Sequence, residues 1–209
     1  MIAFGFTNLK GQVNLGVQLS VSSLDMEAPY DNYRKGLQGG GGLVVFDEIK
    51  WIKDLSWETG IMTSFGQTGY YPLKSGSYWV ANGNYPLNTS EKLLHRFWTL
   101  ILPVKLRYNA FGFMGILGSF ELSYLLDGNI YIPSLTKTNR GYHYRKITPL
   151  VEGGLFFPIG DRFIFETTAF KAIKDRFYTG LGTDLNGNDV EVDGHTDFGF
   201  GVNVTYRLN

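Results

Sequence analysis

The 209-residue chain contains no cysteine, which removes both a disulfide framework and a thiolate metal site. Nor does it contain an apolar run approaching the roughly eighteen residues that a helical membrane span needs. Its formal net charge is zero, with 19 basic against 19 acidic side chains. No attraction to a polyanion is built in, and nucleic acid is not an expected partner. Met1 to Phe6 has neither the basic start nor the apolar stretch of a secretory signal. An exported protein would therefore be represented here in a mature or recloned form. What the chain does have is glycine, 27 residues, and aromatic side chains, 16% of the total. Both suit a curved sheet whose strands carry interfacial rings. The length fits one all-β domain over residues 1–209.

Strict two-residue alternation recurs along the chain, and a period of two means a strand, because successive side chains point to opposite faces. From Asp197 onward, Phe198, Phe200, Val202, Val204, Tyr206 and Leu208 share one face, while Asp197, Gly199, Gly201, Asn203, Thr205 and Arg207 share the other. Gln12 to Ser22 sets Leu15, Val17, Leu19 and Val21 against Asn14, Gly16, Gln18 and Ser20. Leu55 to Gly66 sets Leu55, Trp57, Ile61 and Phe65 against Ser56, Glu58, Gly60 and Ser64. Phe97 to Tyr108 sets Trp98, Leu100, Leu102, Val104, Leu106 and Tyr108 against Thr99, Lys105 and Arg107. Similar patterns cover Gly112 to Leu126, Val151 to Phe157 and Phe163 to Ala169, and a glycine-rich strand over roughly Gly39 to Phe46 completes a set of about eight.

The connections are expected to alternate in length. Asp47 to Asp54, Asn109 to Phe111 and Pro158 to Asp161 read as short turns, whereas Leu24 to Gly36, Gln67 to Arg96, Asp127 to Lys146 and Asp175 to Thr196 read as long loops. Long loops on one side and short turns on the other mark outer-membrane barrels, with the long loops extracellular and the short turns periplasmic. Residue size points the same way. An eight-stranded interior holds only its own side chains or one small ligand, and rows of Trp, Phe, Tyr and Leu from every strand would overfill it. Small and charged residues share the opposite face and suit a narrow lumen. The expected fold is an eight-stranded antiparallel up-and-down transmembrane β-barrel with its large apolar groups toward lipid, and a soluble lipocalin-like barrel is the rival.

The hairpin Leu102-Pro-Val-Lys-Leu-Arg-Tyr108, a short turn, Gly112-Phe-Met-Gly-Ile-Leu-Gly118 and then Ser123-Tyr-Leu-Leu126 resembles the central hairpin of small outer-membrane β-barrel domains from Bacteroidota, among them the PorT-like group. Members of that group pair a leucine-proline-hydrophobic-hydrophobic-lysine-tyrosine strand with a glycine-rich strand ending in tyrosine-leucine-leucine. The resemblance covers the whole chain in architecture and about one hairpin in motif. It implies a bacterial outer-membrane location. It does not imply one function, because members serve many roles.

Glu58, Glu121, Glu152 and Glu166 share the predicted interior with Lys105, Arg107 and Arg207. Buried unpaired charge is costly, so a connected salt-bridge network is expected. With four carboxylates against three bases, one Glu is left to bind a proton or a water. Trp57, Trp98, Tyr108, Tyr124, Phe163 and Tyr206 are expected in girdles at the membrane interfaces. Candidate contacts for lipopolysaccharide or a protein partner are Arg140, Tyr142, His143, Tyr144 and Arg145 in one loop and Tyr70, Tyr71, Tyr78 and Trp79 in another.

Asp184 to Asp193 spaces oxygen ligands like the start of a calcium loop but has neither glycine at the sixth place nor glutamate at the twelfth. It reads as a polar turn. His95, His143 and His195 fall in or beside expected loops, and His195 with its neighbours Thr196 and Asp197 cannot form a triad along one strand. No catalytic, metal or cofactor site is expected.

The sequence therefore suggests a non-enzymatic integral outer-membrane barrel with a filled lumen, serving as scaffold or accessory subunit of a complex for secretion, assembly or uptake. Outer-membrane lipid, lipopolysaccharide and other outer-membrane proteins are the expected partners. A narrow pore or transporter, a lipid A-modifying barrel enzyme and a soluble binder are the alternatives.

Overall fold

A sheet that meets lipid can leave no backbone N–H or C=O unpaired, so it must close on itself. The computed structural model describes residues 14–27, 34–70, 76–80, 83–87, 93–131, 146–174, 181–183, 189–191 and 196–208. It shows that closure. Among the described residues twelve strands occur: β1 (Asn14–Glu27), β2 (Arg34–Glu48), β3 (Leu55–Tyr70), β4 (Gly76–Val80), β5 (Gly83–Leu87), β6 (Leu93–Tyr108), β7 (Gly115–Tyr131), β8 (Ile147–Ile159), β9 (Phe163–Ala172), β10 (Leu181–Thr183), β11 (Asp189–Glu191) and β12 (Thr196–Arg207). Eight of them form one closed antiparallel barrel in the order β1-β12-β9-β8-β7-β6-β3-β2. The remaining four make two separate hairpins, β4–β5 and β10–β11. No helix occurs among the described residues.

The alternation read from the sequence sets the two faces. On β6, Phe97, Thr99, Ile101, Pro103, Lys105 and Arg107 are buried, while Trp98, Leu102, Val104, Leu106 and Tyr108 are exposed. The same split places Leu19, Leu43, Ile61, Ile116, Phe120, Val151 and Phe200 outside. A soluble barrel would reverse this arrangement. The wall is apolar and the lumen polar, which is the transmembrane order. Two groups of rings stand on the wall. Phe65 and Trp98 meet at 5.4 Å near the end where β6 begins. Phe163 and Tyr206 meet at 5.0 Å near the other end, where Arg162 Nη1 donates to the Tyr206 hydroxyl at 3.0 Å.

The strands run further than the sequence pattern suggested. β1 continues to Glu27, β2 starts at Arg34 and contains the whole glycine run, and β3 and β6 pair out to Tyr70 and Leu93. His95, expected in or beside a loop, lies within β6 opposite Thr68 and Ile130. The alternation fades there because outward side chains beyond the apolar band no longer need to be apolar. The hydrogen-bond ladder itself is indifferent to side chains and continues. At one barrel end the strands are joined by 49–54, 109–114 and 160–162, the last turning through Gly160 at φ 60°.

Two local devices shape the barrel. Pro103 sits inside β6 and has no N–H for the ladder. Its carbonyl accepts from the Thr59 hydroxyl at 2.8 Å. Across the strand, β6 and β7 slip by one residue between Trp98 and Thr99, a β-bulge of the kind that adds local twist.

Candidate functional site in the barrel lumen

Inward positions of neighbouring strands bring charge together at one level of the lumen. Glu58 and Lys105 are direct cross-strand partners on β3 and β6, and Arg107 stands two residues further along β6. Glu166 comes from β9, on the far side of the lumen. Lys105 Nζ donates to Glu166 Oε2 at 2.6 Å and lies 3.4 Å from Glu58 Oε1. Arg107 uses its fork on both carboxylates. Its Nε donates to Glu166 Oε1 at 2.6 Å, and its Nη2 donates to Glu58 Oε2 at 2.6 Å and also lies 2.5 Å from Glu166 Oε1. None of the four side chains is more than 2% exposed. Two positive and two negative groups cross-link opposite walls in a closed quartet, using the bidentate geometry that arginine offers carboxylates.

Glu121 and Glu152 sit one level away on β7 and β8 and belong to a different arrangement. Asn203 links the two levels, its Nδ2 donating to Glu166 Oε2 at 3.2 Å and to Glu152 Oε1 at 3.4 Å. Glu121, Glu152 and Asn203 border a cavity of about 50 Å³, together with Gln18, Gln38, Ser123 and Thr168 among others. Arg207 is outside the quartet. It stands at the barrel mouth with its guanidinium 5.1 Å above the Phe46 ring. There it lines a recess of about 320 Å³ with Phe46, Lys50, Asn109 and Phe156.

Apolar side chains flank the charged layers on both sides within the lumen, a feature the alternation alone did not point to. Leu117, Phe156 and Ile164 form a buried cluster toward the mouth. Leu24 and Phe97, with Leu125 and Phe170 packed on them, form another toward the opposite end. Each cluster lays a ring over a glycine. A Cβ built on Gly66 would run into the Phe97 ring, and one on Gly115 into the Phe156 ring. The available signal was an apolar residue on the polar side of an otherwise clean alternation, as at Leu24, Phe97 and Phe156.

Of the loop candidates, Tyr70 closes β3, and Tyr78 and Trp79 lie in β4, opposite Tyr85 and Asn84. Tyr71, Arg140, Tyr142, His143, Tyr144 and Arg145 lie outside the described residues, as do His143's fellow histidine His195 and most of Asp184 to Asp193. Among the described residues no three His, Cys, Asp or Glu side chains gather as metal ligands.

No protein-family model matches the chain, and no curated protein matches it in sequence. Solved structures do. Neisserial surface protein A aligns over 93% of this chain and 97% of its own, with a TM-score of 0.53 and 10% identity. The attachment invasion locus protein Ail of Yersinia pestis aligns over 96% and 100%, with a TM-score of 0.47 and 10% identity. The translocator domain of the autotransporter NalP from Neisseria meningitidis aligns over 97% and 90%, with a TM-score of 0.32 and 10% identity. At these identities the likeness concerns the fold. The chain is an eight-stranded transmembrane β-barrel of the outer-membrane type.

Proposed function

We propose that the protein resides in the bacterial outer membrane as a non-enzymatic, plugged barrel and serves as a scaffold or accessory subunit of an envelope complex. The observation that carries this reading is the filled lumen: an ionic quartet of Glu58, Lys105, Arg107 and Glu166 flanked by two apolar clusters. Such an interior rigidifies the wall and fills much of the lumen with side chains, which argues against transport. In this reading the short connections lie on the periplasmic side, by the rule that outer-membrane barrels carry their long loops outside.

Candidate contact surfaces lie outside the lumen. Trp51 is 87% exposed in the turn 49–54, and Phe111 and Phe113 are exposed together in the turn 109–114. Side chains this apolar at a turn suit a membrane-embedded or periplasmic partner. A groove of about 450 Å³ also crosses the wall between Leu37, Leu155 and Phe200 over the small residues Gly153 and Ala169. Lipopolysaccharide contacts through Arg140 and Arg145 belong to the same proposal.

Two measurements test it. Planar-bilayer recording is expected to show no stable conductance, and a sizeable steady conductance would overturn the plugged barrel. Mild-detergent purification from native outer membranes is expected to recover stoichiometric protein partners. Recovery with lipid alone would overturn the subunit role.

A further inference from the structure

The quartet balances its own charge, and the level beside it does not. Glu58 and Glu166 are neutralised by Lys105 and Arg107, whereas Glu121 and Glu152 bring two further carboxylates to the 50 Å³ cavity, on whose lining no basic residue stands among the described residues. That lining is rich in oxygen acceptors that no donor reaches. Gln18 Oε1, Gln38 Oε1, Ser123 Oγ and Glu152 Oε2 are all buried with no hydrogen-bond partner among the described residues. Gln18 and Ser123 are each only 2% exposed. A buried acceptor left without a donor costs about 1–3 kcal/mol, and several around one small cavity mark a position for something positive. A proton shared by the two carboxylates would serve only their facing oxygens and would leave the two glutamine oxygens and the serine unserved. A divalent ion offsets both charges and takes neutral oxygens of this kind as ligands.

We propose that this lumenal cavity binds one hard divalent cation of the calcium class, through the carboxylates of Glu121 and Glu152 and the neutral oxygens of Gln18, Gln38 and Ser123. All of the donors are oxygen, the ligand type of hard cations, which take about six to eight such atoms in flexible geometry with water completing the set. A single water needs only about 10–15 Å³, so the cavity has room for an ion and a remaining water. Phe170, packed on Leu24 and Phe97, borders the cavity on one side and the quartet lies on the other, so the ion is expected to enter as the barrel closes and then to exchange slowly. The inference stands apart from the accessory-subunit reading, since a free-standing barrel would bind the ion equally.

The test is to refold the full chain into neutral detergent with calcium chloride or with chelator, pass both through a desalting column, and count metal by mass spectrometry. The calcium-refolded protein is expected to retain one ion per chain and the chelator-refolded protein none. Its thermal midpoint is expected to be higher. Glu152→Gln and, as a variant that keeps the charge, Gln18→Leu should each lower retention by roughly tenfold under competing chelator, since ligand number and charge set affinity. Retention well below one ion in the wild type overturns the proposal without recourse to any variant. So does equal retention by variants that fold, judged by their heat-dependent shift on gels.

Discussion

The outer wall and the lumen are built from the same eight strands, one residue apart, yet they answer to opposite solvents. Leu102 points to lipid and is satisfied by bulk contact with anything apolar. Arg107, five residues along, points inward and is satisfied by two particular carboxylates at 2.6 Å. Wall positions need only a class of side chain, so they tolerate exchange within it. Lumen positions need named partners, so they do not. The comparison also explains why a barrel can bury full charges without instability. A buried pair is at best roughly neutral beside a well-packed apolar substitute, but removing one member strands the rest.

The largest expected effect comes from breaking that dependence. Arg107→Leu leaves Glu58 and Glu166 with Lys105 as the one cation of the quartet and should cost about 3–5 kcal/mol, read as a lower denaturation midpoint in detergent while membrane insertion proceeds. Leu102→Arg puts a charge on the wall and should cost about 2–4 kcal/mol at the bilayer midplane, with impaired assembly as the readout. If the two variants exchanged phenotypes, the inside and outside assignments would be reversed. Gly66→Ala forces a methyl into the Phe97 ring and should cost about 1–3 kcal/mol by overpacking. Gly118→Ala, on the open side of β7 with no atom near the added carbon, should be much milder in the same denaturation assay. The smallest effect sharpens the contrast on the wall itself. Thr59→Val removes the hydroxyl that donates to the Pro103 carbonyl and should cost about 1 kcal/mol. A neutral result would mean that this carbonyl finds another donor.

Much of the architecture was legible because lipid imposes a period of two that no loop or helix imitates. The inward row Thr99, Lys105, Arg107 and the outward row Trp98, Leu102, Leu106 could be written down from the alternation alone. Strand ends could not, since the ladder at Gln67 or Arg96 continues on backbone hydrogen bonds after the side-chain signal stops. The lumenal charges could be collected as a set, but not paired. Glu58 with Lys105 follows from register between adjacent strands. Glu166 with Lys105 does not, because those strands meet only across the closed lumen.

The linear chain thus fixes which solvent each residue faces, a local property set by odd and even positions. Closure and stagger of the barrel fix which inward residues stand at one level. They join Glu166 to Arg107, leave Arg207 over Phe46 at the mouth, and gather Glu121, Glu152, Gln18 and Gln38 around one cavity. Those relations are distances across a lumen, and a lumen exists only once the first strand has met the last.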